Sequence, residues 1–187
     1  LALPTKHRPI IANGAGIPLD AWVEFCKADK YKKECTFGQD EPKRIVLTEE
    51  IWSAIAVINS NVNDTTTSIT DPLHWGVEDR WDLAEDGYGD CEDHQLLKRS
   101  LLADLGIPRR AMRITVVLDS EQRGHAVLMI KTDRGDFILD NLTHKVLSWE
   151  ETTYVYLRQE GQNNPQEWVN LHPDESAPDT VSTNGAD

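Results

Sequence analysis

Cations are scarce in this chain of 187 residues: 19 Lys and Arg stand against 32 Asp and Glu, for a formal charge of −13. That deficit argues against a primary role on nucleic acid, because neutralising phosphates needs clustered Lys and Arg. The chain also lacks any apolar run near the roughly 18 residues of a membrane span, so no segment is expected to cross a bilayer. There is no EF-hand loop, no Cys/His spacing of the zinc type, and no internal repeat. The initiator methionine is missing too: the chain opens Leu1-Ala2-Leu3-Pro4. A removed secretory signal and a shortened chain account for that start equally well. Cysteine is limited to Cys26, Cys35 and Cys91. Cys26 and Cys35 are close enough in sequence to close a small disulfide loop, which leaves Cys91 as an odd thiol and a candidate for reactivity.

What is present suits one soluble domain, with 39% hydrophobic and 27% charged residues. Residues 1–19 read as an extended arm, 20–170 as the domain, and 171–187, poor in large apolar side chains, as a disordered acidic tail. A short helix is expected from Asp20, acting as its cap, to Cys26. A second follows Thr48, with Ile51, Ile55, Ile58 and Val62 on one stripe, and gives way to a loop at Asn59–Pro72. A further loop, His74 to Gly89, carries Trp75 and Trp81, which either anchor on the core or line a cleft. From Cys91 to Leu105 the leucines at 97, 101 and 105, broadened by Leu96 and Leu102, predict a helix stopped by Gly106 and Pro108. Strand patterns follow over 111–118, 125–132, 136–141 and 145–149, with turn chemistry at Asp133-Arg134-Gly135-Asp136. A helix followed by hairpin-linked strands implies an α+β fold with the helix packed on an antiparallel sheet.

Cys91 directly follows Gly89-Asp90 and opens the leucine-bearing helix. Unsatisfied N–H groups and the helix dipole favour a thiolate there and could hold an oxyanion. A nucleophilic thiol needs a base and the base needs an orienting group. His125, at the head of an apolar strand, and Asp140, at the end of the next, supply them in the order Cys, His, Asp. Register tests this. A strict two-residue turn at Arg134-Gly135 would leave Asp140 about 13 Å from His125 along the strand. The triad therefore requires a turn displaced towards Thr132-Asp133, or a bulge. Asn141 is the competing orienter and His94 the competing base, though His94 reads better as a rim residue. Asp90, Glu92 and Asp93 oppose a thiolate by like charge. They read either as cap and dipole complement or as ligands of a hard cation such as calcium.

Gly87-Tyr88-Gly89-Asp90-Cys91-Glu92-Asp93, Lys98, Leu105-Gly106-Ile107-Pro108, Gly124-His125-Ala126-Val127-Leu128 and Gly135-Asp136-Phe137-Ile138-Leu139-Asp140-Asn141 occur in that order. Together with Trp22, Phe25, Cys26 and Cys35, this set resembles the bacterial transglutaminase-like cysteine peptidases, the family that includes the periplasmic LapG-type proteases; the chain looks like its short, stand-alone branch. The resemblance implies a papain/transglutaminase-like fold and a thiol peptidase with the triad Cys91, His125 and Asp140, acting through an acyl-enzyme. It implies calcium at Asp90, Glu92 and Asp93, a periplasmic or secreted location, a protein or peptide substrate, and an inner-membrane regulatory receptor. Trp75, Trp81 and Tyr88 are the expected cleft walls. Transglutaminase or amidase turnover with the same triad is the nearest alternative, and a calcium-dependent binding or regulatory protein without turnover is the other.

Overall fold

The apolar runs after residue 110 pair with one another in the computed structural model, which describes residues 1–172 and Val181. In chain order the elements are β1 (Ala15–Gly16), α1 (Asp20–Lys27), α2 (Glu49–Thr65), β2 (Thr67–Ser68), α3 (Asp71–His74), β3 (Tyr88–Gly89) and α4 (Cys91–Asp104). They continue with β4 (Met112–Leu118), β5 (Gly124–Thr132), β6 (Gly135–Asp140), β7 (Thr143–Ser148), β8 (Val155–Glu160) and β9 (Trp168–Asn170). Seven strands form an antiparallel sheet in the order β1-β9-β8-β4-β5-β6-β7, and β2 pairs with β3 in parallel apart from it. This is the α+β architecture the sequence implies.

Side chains alternate across the sheet. Ala126, Leu128 and Ile130 of β5 meet Leu96 and Leu102 of α4 and Ile55 of α2 in the main core. Val127 and Met129 point the other way, into a second cluster with Val117, Ile138 and Tyr156. The N-terminal arm crosses that second face. His7 N donates to Arg134 O at 2.8 Å, Ile10 N donates to Asp136 Oδ2 at 2.9 Å, and β1 pairs with β9.

Several local expectations shift. Leu19, not Asp20, is the N-cap of α1, and Asp20 is the first helical residue. Thr48 caps α2 as expected, its Oγ1 accepting from Ile51 N at 3.2 Å. That helix runs on to Thr65, through residues read as loop, because Asn59 and Asn63 one turn apart face the β6–β7 turn. The Asn59 carboxamide donates to Thr143 O and His144 O, and that of Asn63 donates to Asp140 O and Thr143 O. In α4 the leucine stripe is out of phase. Leu105 is 62% exposed, while Gln95, Lys98 and Arg99 are buried with Leu96 and Leu102. Arg99 can be there because Glu160 Oε1 lies 2.6 Å from its Nη1 and Glu34 O accepts from its Nη2. Gly106, at φ +92°, ends the helix as expected. Cys26 and Cys35 are joined in a disulfide that ties α1 to the following turn. Of the expected tail, 173–180 and 182–187 lie outside the described residues, whereas Val181 is fully buried in the main core.

Candidate active site

Gly89 leads into α4 at a place that tolerates no side chain, since a Cβ there would lie 2.7 Å from that of Asp93. Asp93 closes the first turn: its Oδ2 accepts from Asp90 N at 3.2 Å and its Oδ1 from Asp82 N at 2.7 Å. This capping arrangement makes Cys91 the first helical residue, at the positive end of the dipole. Cys91 opens the helix as the sequence implies, and it is 0% exposed. Its surroundings are nonetheless polar at the sulfur: Sγ lies 3.3 Å from Glu92 Oε2, and the Cys91 side chain is near enough to the His125 ring to raise its pKa.

The β5–β6 hairpin closes on Asp133-Arg134, with Thr132 opposite Gly135 and Leu128 opposite Leu139. This is the displaced turn that the arithmetic of the strands requires. Asp140 follows the last residue of β6 paired with β5, where the pairing with β7 is irregular between Ile138 and Asp140, and His125 Nε2 and Asp140 Oδ1 are 2.9 Å apart. Asp140 Oδ1 also accepts from Leu142 N at 3.1 Å, and Oδ2 accepts from Tyr154 Oη at 2.5 Å. Burial works against charge on His125, yet Asp140 and Cys91 outweigh it and raise its pKa to about 10. Burial also opposes charge on Asp140, and the bonds from His125 and Tyr154 still hold its carboxyl below the usual range. One ring nitrogen of His125 thus faces a carboxylate, which leaves Nδ1 for the thiol.

The competing residues are occupied elsewhere. His94 is buried rather than at a rim, its Nδ1 is 2.7 Å from Asp90 O, and burial lowers its pKa. Asn141 Oδ1 accepts from Gln95 Nε2 at 3.2 Å. Sequence reasoning missed Tyr154, which carried no motif, and Asn63, whose spacing from Asn59 was a readable sign of continuing helix.

Asp90, Glu92 and Asp93 come together with a fourth carboxylate, Asp71 at the start of α3. One ligand oxygen from each lies within 4.8 Å of the others, and all four residues are buried. Asp71 Oδ2 accepts from Arg80 N, while Asp71 Oδ1 and Glu92 Oε1 are buried without a hydrogen-bond partner among the described residues. Burial, then the neighbouring acids, pushes the Glu92 and Asp93 carboxyls well up, and burial raises Asp71 to about 6. Unmatched acceptors packed this closely fit a hard cation with oxygen ligands.

The three aromatics separate. Trp81 is 3% exposed, its ring tilted against that of Trp22 in the core with its Nε1 donating to Asp79 Oδ1, so it is an anchor rather than a cleft wall. Trp75 and Tyr88 present accessible rings, with the Arg80 guanidinium 4.0 Å over that of Trp75.

Residues 12–176 match the family described as bacterial transglutaminase-like cysteine proteinase BTLCP. Among solved structures, Legionella pneumophila LapG aligns with a TM-score of 0.55 at 26% identity, over 64% of this chain and 68% of that one. Its calcium-bound form gives a TM-score of 0.53 at the same identity and coverage. An EGTA-treated form gives 0.53 at 24% identity over 72% of each chain, a likeness of fold. No match was found among curated proteins. With the family match running through the helix that carries Cys91 and the hairpin that carries His125 and Asp140, the chain belongs to the bacterial transglutaminase-like cysteine proteinases.

Proposed function

We propose that this cysteine peptidase cleaves a protein substrate through Cys91, His125 and Asp140 by way of an acyl-enzyme. The observation that carries the reading is one buried imidazole, 2.9 Å from Asp140, whose pKa is raised by Asp140 and by Cys91 together. A His125 pKa of about 10 favours an imidazolium at neutral pH, a proton donor ready for the departing amine. Sγ attacks the scissile carbonyl carbon and the π pair moves to oxygen, where N–H groups at the start of α4 can receive it. As the tetrahedral species collapses, the C–N bond breaks and His125 gives its proton to the departing amine, leaving a thioester. Water then attacks that carbonyl, His125 takes its proton, and the C–S bond breaks to restore the thiolate. Asp140 stays ionised throughout and holds the ring in place. Trp75 and Tyr88 are the aromatic surfaces available to a substrate chain.

Asp71, Asp90, Glu92 and Asp93 are the residues that would hold calcium. A calcium ion there supplies positive charge that allows these carboxylates to ionise next to a thiolate. Calorimetric titration should show calcium binding that Asp71→Asn and Glu92→Gln weaken; no heat in calcium-free buffer would end this reading. By likeness to LapG-type proteases we place the chain in the periplasm or outside the cell, where a Cys26–Cys35 disulfide persists, with an inner-membrane receptor as its regulator.

The test of the peptidase reading compares wild type with Cys91→Ala on a bacterial surface proteome. New protein N-termini should appear only with wild type, and a thiol-directed electrophile should label only wild type. Incorporation of a labelled amine into Gln-containing protein, without new termini, would make the chain a transglutaminase. A Cys91 that stays unreactive from pH 6 to 8, with and without calcium, would make it a binding protein.

A further inference from the structure

At the far end of β5 from His125, six residues and about 20 Å along the strand, the sheet opens into a cavity of about 790 Å³. The N-terminal arm roofs it and β9 walls it. Four cations line it in a chain of net charge −13: Lys43, Arg44, Arg113 and Lys131. The negative charge set against them is small. Glu167 lines the cavity, and the nearby Asp136 is shared, its Oδ1 taken by Arg44 at 2.7 Å and its Oδ2 by Lys131 at 3.1 Å.

One lining cation is under-used. Arg113 is 5% exposed, donates only Nε, to Arg110 O at 3.4 Å, and forms no ion pair among the described residues. Desolvating a guanidinium that has one backbone acceptor and no ion pair is costly, and burial, opposed by the nearby Glu160 and Asp136 carboxylates, lowers the Arg113 pKa to about 10, which still leaves it charged at neutral pH. Surplus positive charge, the spare donors of the Arg113 guanidinium and a volume in the small-molecule range all call for a ligand rich in acceptors. Side-chain amides of Gln159 and Gln162 on the lining add orienting hydrogen bonds for polar groups on such a ligand.

We propose that this cavity is a binding site for a small organic anion bearing phosphate or carboxylate groups, held by Arg113, Lys131 and Lys43 and separate from the thiol centre. Its test is independent of the peptidase reading because it measures binding alone. The full chain, at fixed calcium and ionic strength, is titrated calorimetrically with glucose 6-phosphate and with glutarate, and with neutral glucose as control. Saturable binding of either anion is expected, with none for glucose; the ester or the dicarboxylate binding more tightly identifies the anionic group. Arg113→Gln should weaken that binding about tenfold, the scale of a lost charge-assisted hydrogen bond. Lys43→Gln, on the exposed rim, should weaken it about threefold and keeps the test alive if Arg113→Gln does not fold. Neither anion binding better than glucose, or both variants binding like wild type, would overturn the proposal.

Discussion

Tyr154 and Lys98 show how single buried groups set the working conditions of the site. The Tyr154 hydroxyl, 2.5 Å from Asp140 Oδ2, is one of the bonds that keep Asp140 ionised in a buried place. Tyr154→Phe removes a donor to a charged acceptor, an interaction of about 1.5–3 kcal/mol. Its kcat/KM should fall about tenfold or more, and the acid limb of the pH–rate profile should move to higher pH as the Asp140 pKa rises. An unchanged acid limb would show that Tyr154 only packs there. Lys98 acts on stability. Its Nζ is buried with no hydrogen-bond partner among the described residues, and burial lowers its pKa to about 7. Between pH 7 and the unfolded value near 10.4 the unfolded chain binds more protons, so this group makes stability rise with pH, with its full penalty reached below pH 7. Lys98→Met should therefore stabilise the protein by about 1–3 kcal/mol at pH 7, and the gain should fade towards pH 10. Urea unfolding at the two pH values reads this directly.

Between elements, the decisive contact is α2 against the turn that follows β6. Asparagine has low helix propensity and favours loops, yet Asn59 and Asn63 are helical because their carboxamides satisfy the carbonyls of residues 140, 143 and 144. The same bonds hold the backbone of Asp140, so a scaffold helix positions a member of the proposed triad. Asn63→Leu leaves those carbonyls short of a donor. It should cost about 1–3 kcal/mol in urea unfolding, and the His125 ring-proton resonance should broaden or shift as Asp140 loosens. A sharp, unmoved resonance would mean that the turn holds itself. α4 teaches a related lesson about pattern. Leu97, Leu101 and Leu105 mark a helix correctly but not its buried face, because the neighbouring Glu34 and Glu160 make it possible to bury Arg99 instead.

Over the whole molecule, the disulfide and the sheet fix how far apart in sequence the parts of the site can be. Cys26 and Cys35 close a loop of nine residues at the edge of the main core. The chain-entropy of such a loop corresponds to about 2–3 kcal/mol, so a Cys26→Ser/Cys35→Ser variant should lose about that much stability in chemical unfolding. It should keep its thiol reactivity, since Cys91 lies in a separate element. What the sequence by itself determined is local. Asp90 and Asp93 close the first turn of α4, Gly106 stops it, and Cys91 falls at the helix mouth, because caps and glycines act within a few residues. The strand periods likewise made an antiparallel sheet readable. Only the tertiary structure decided the hairpin register that brings Asp140 to His125, the arrival of Asp71 beside Glu92, the burial of Trp81, and the enclosure of Cys91. Each of these depends on chain segments brought together by packing, and no local pattern carries the free energy of a contact between distant residues.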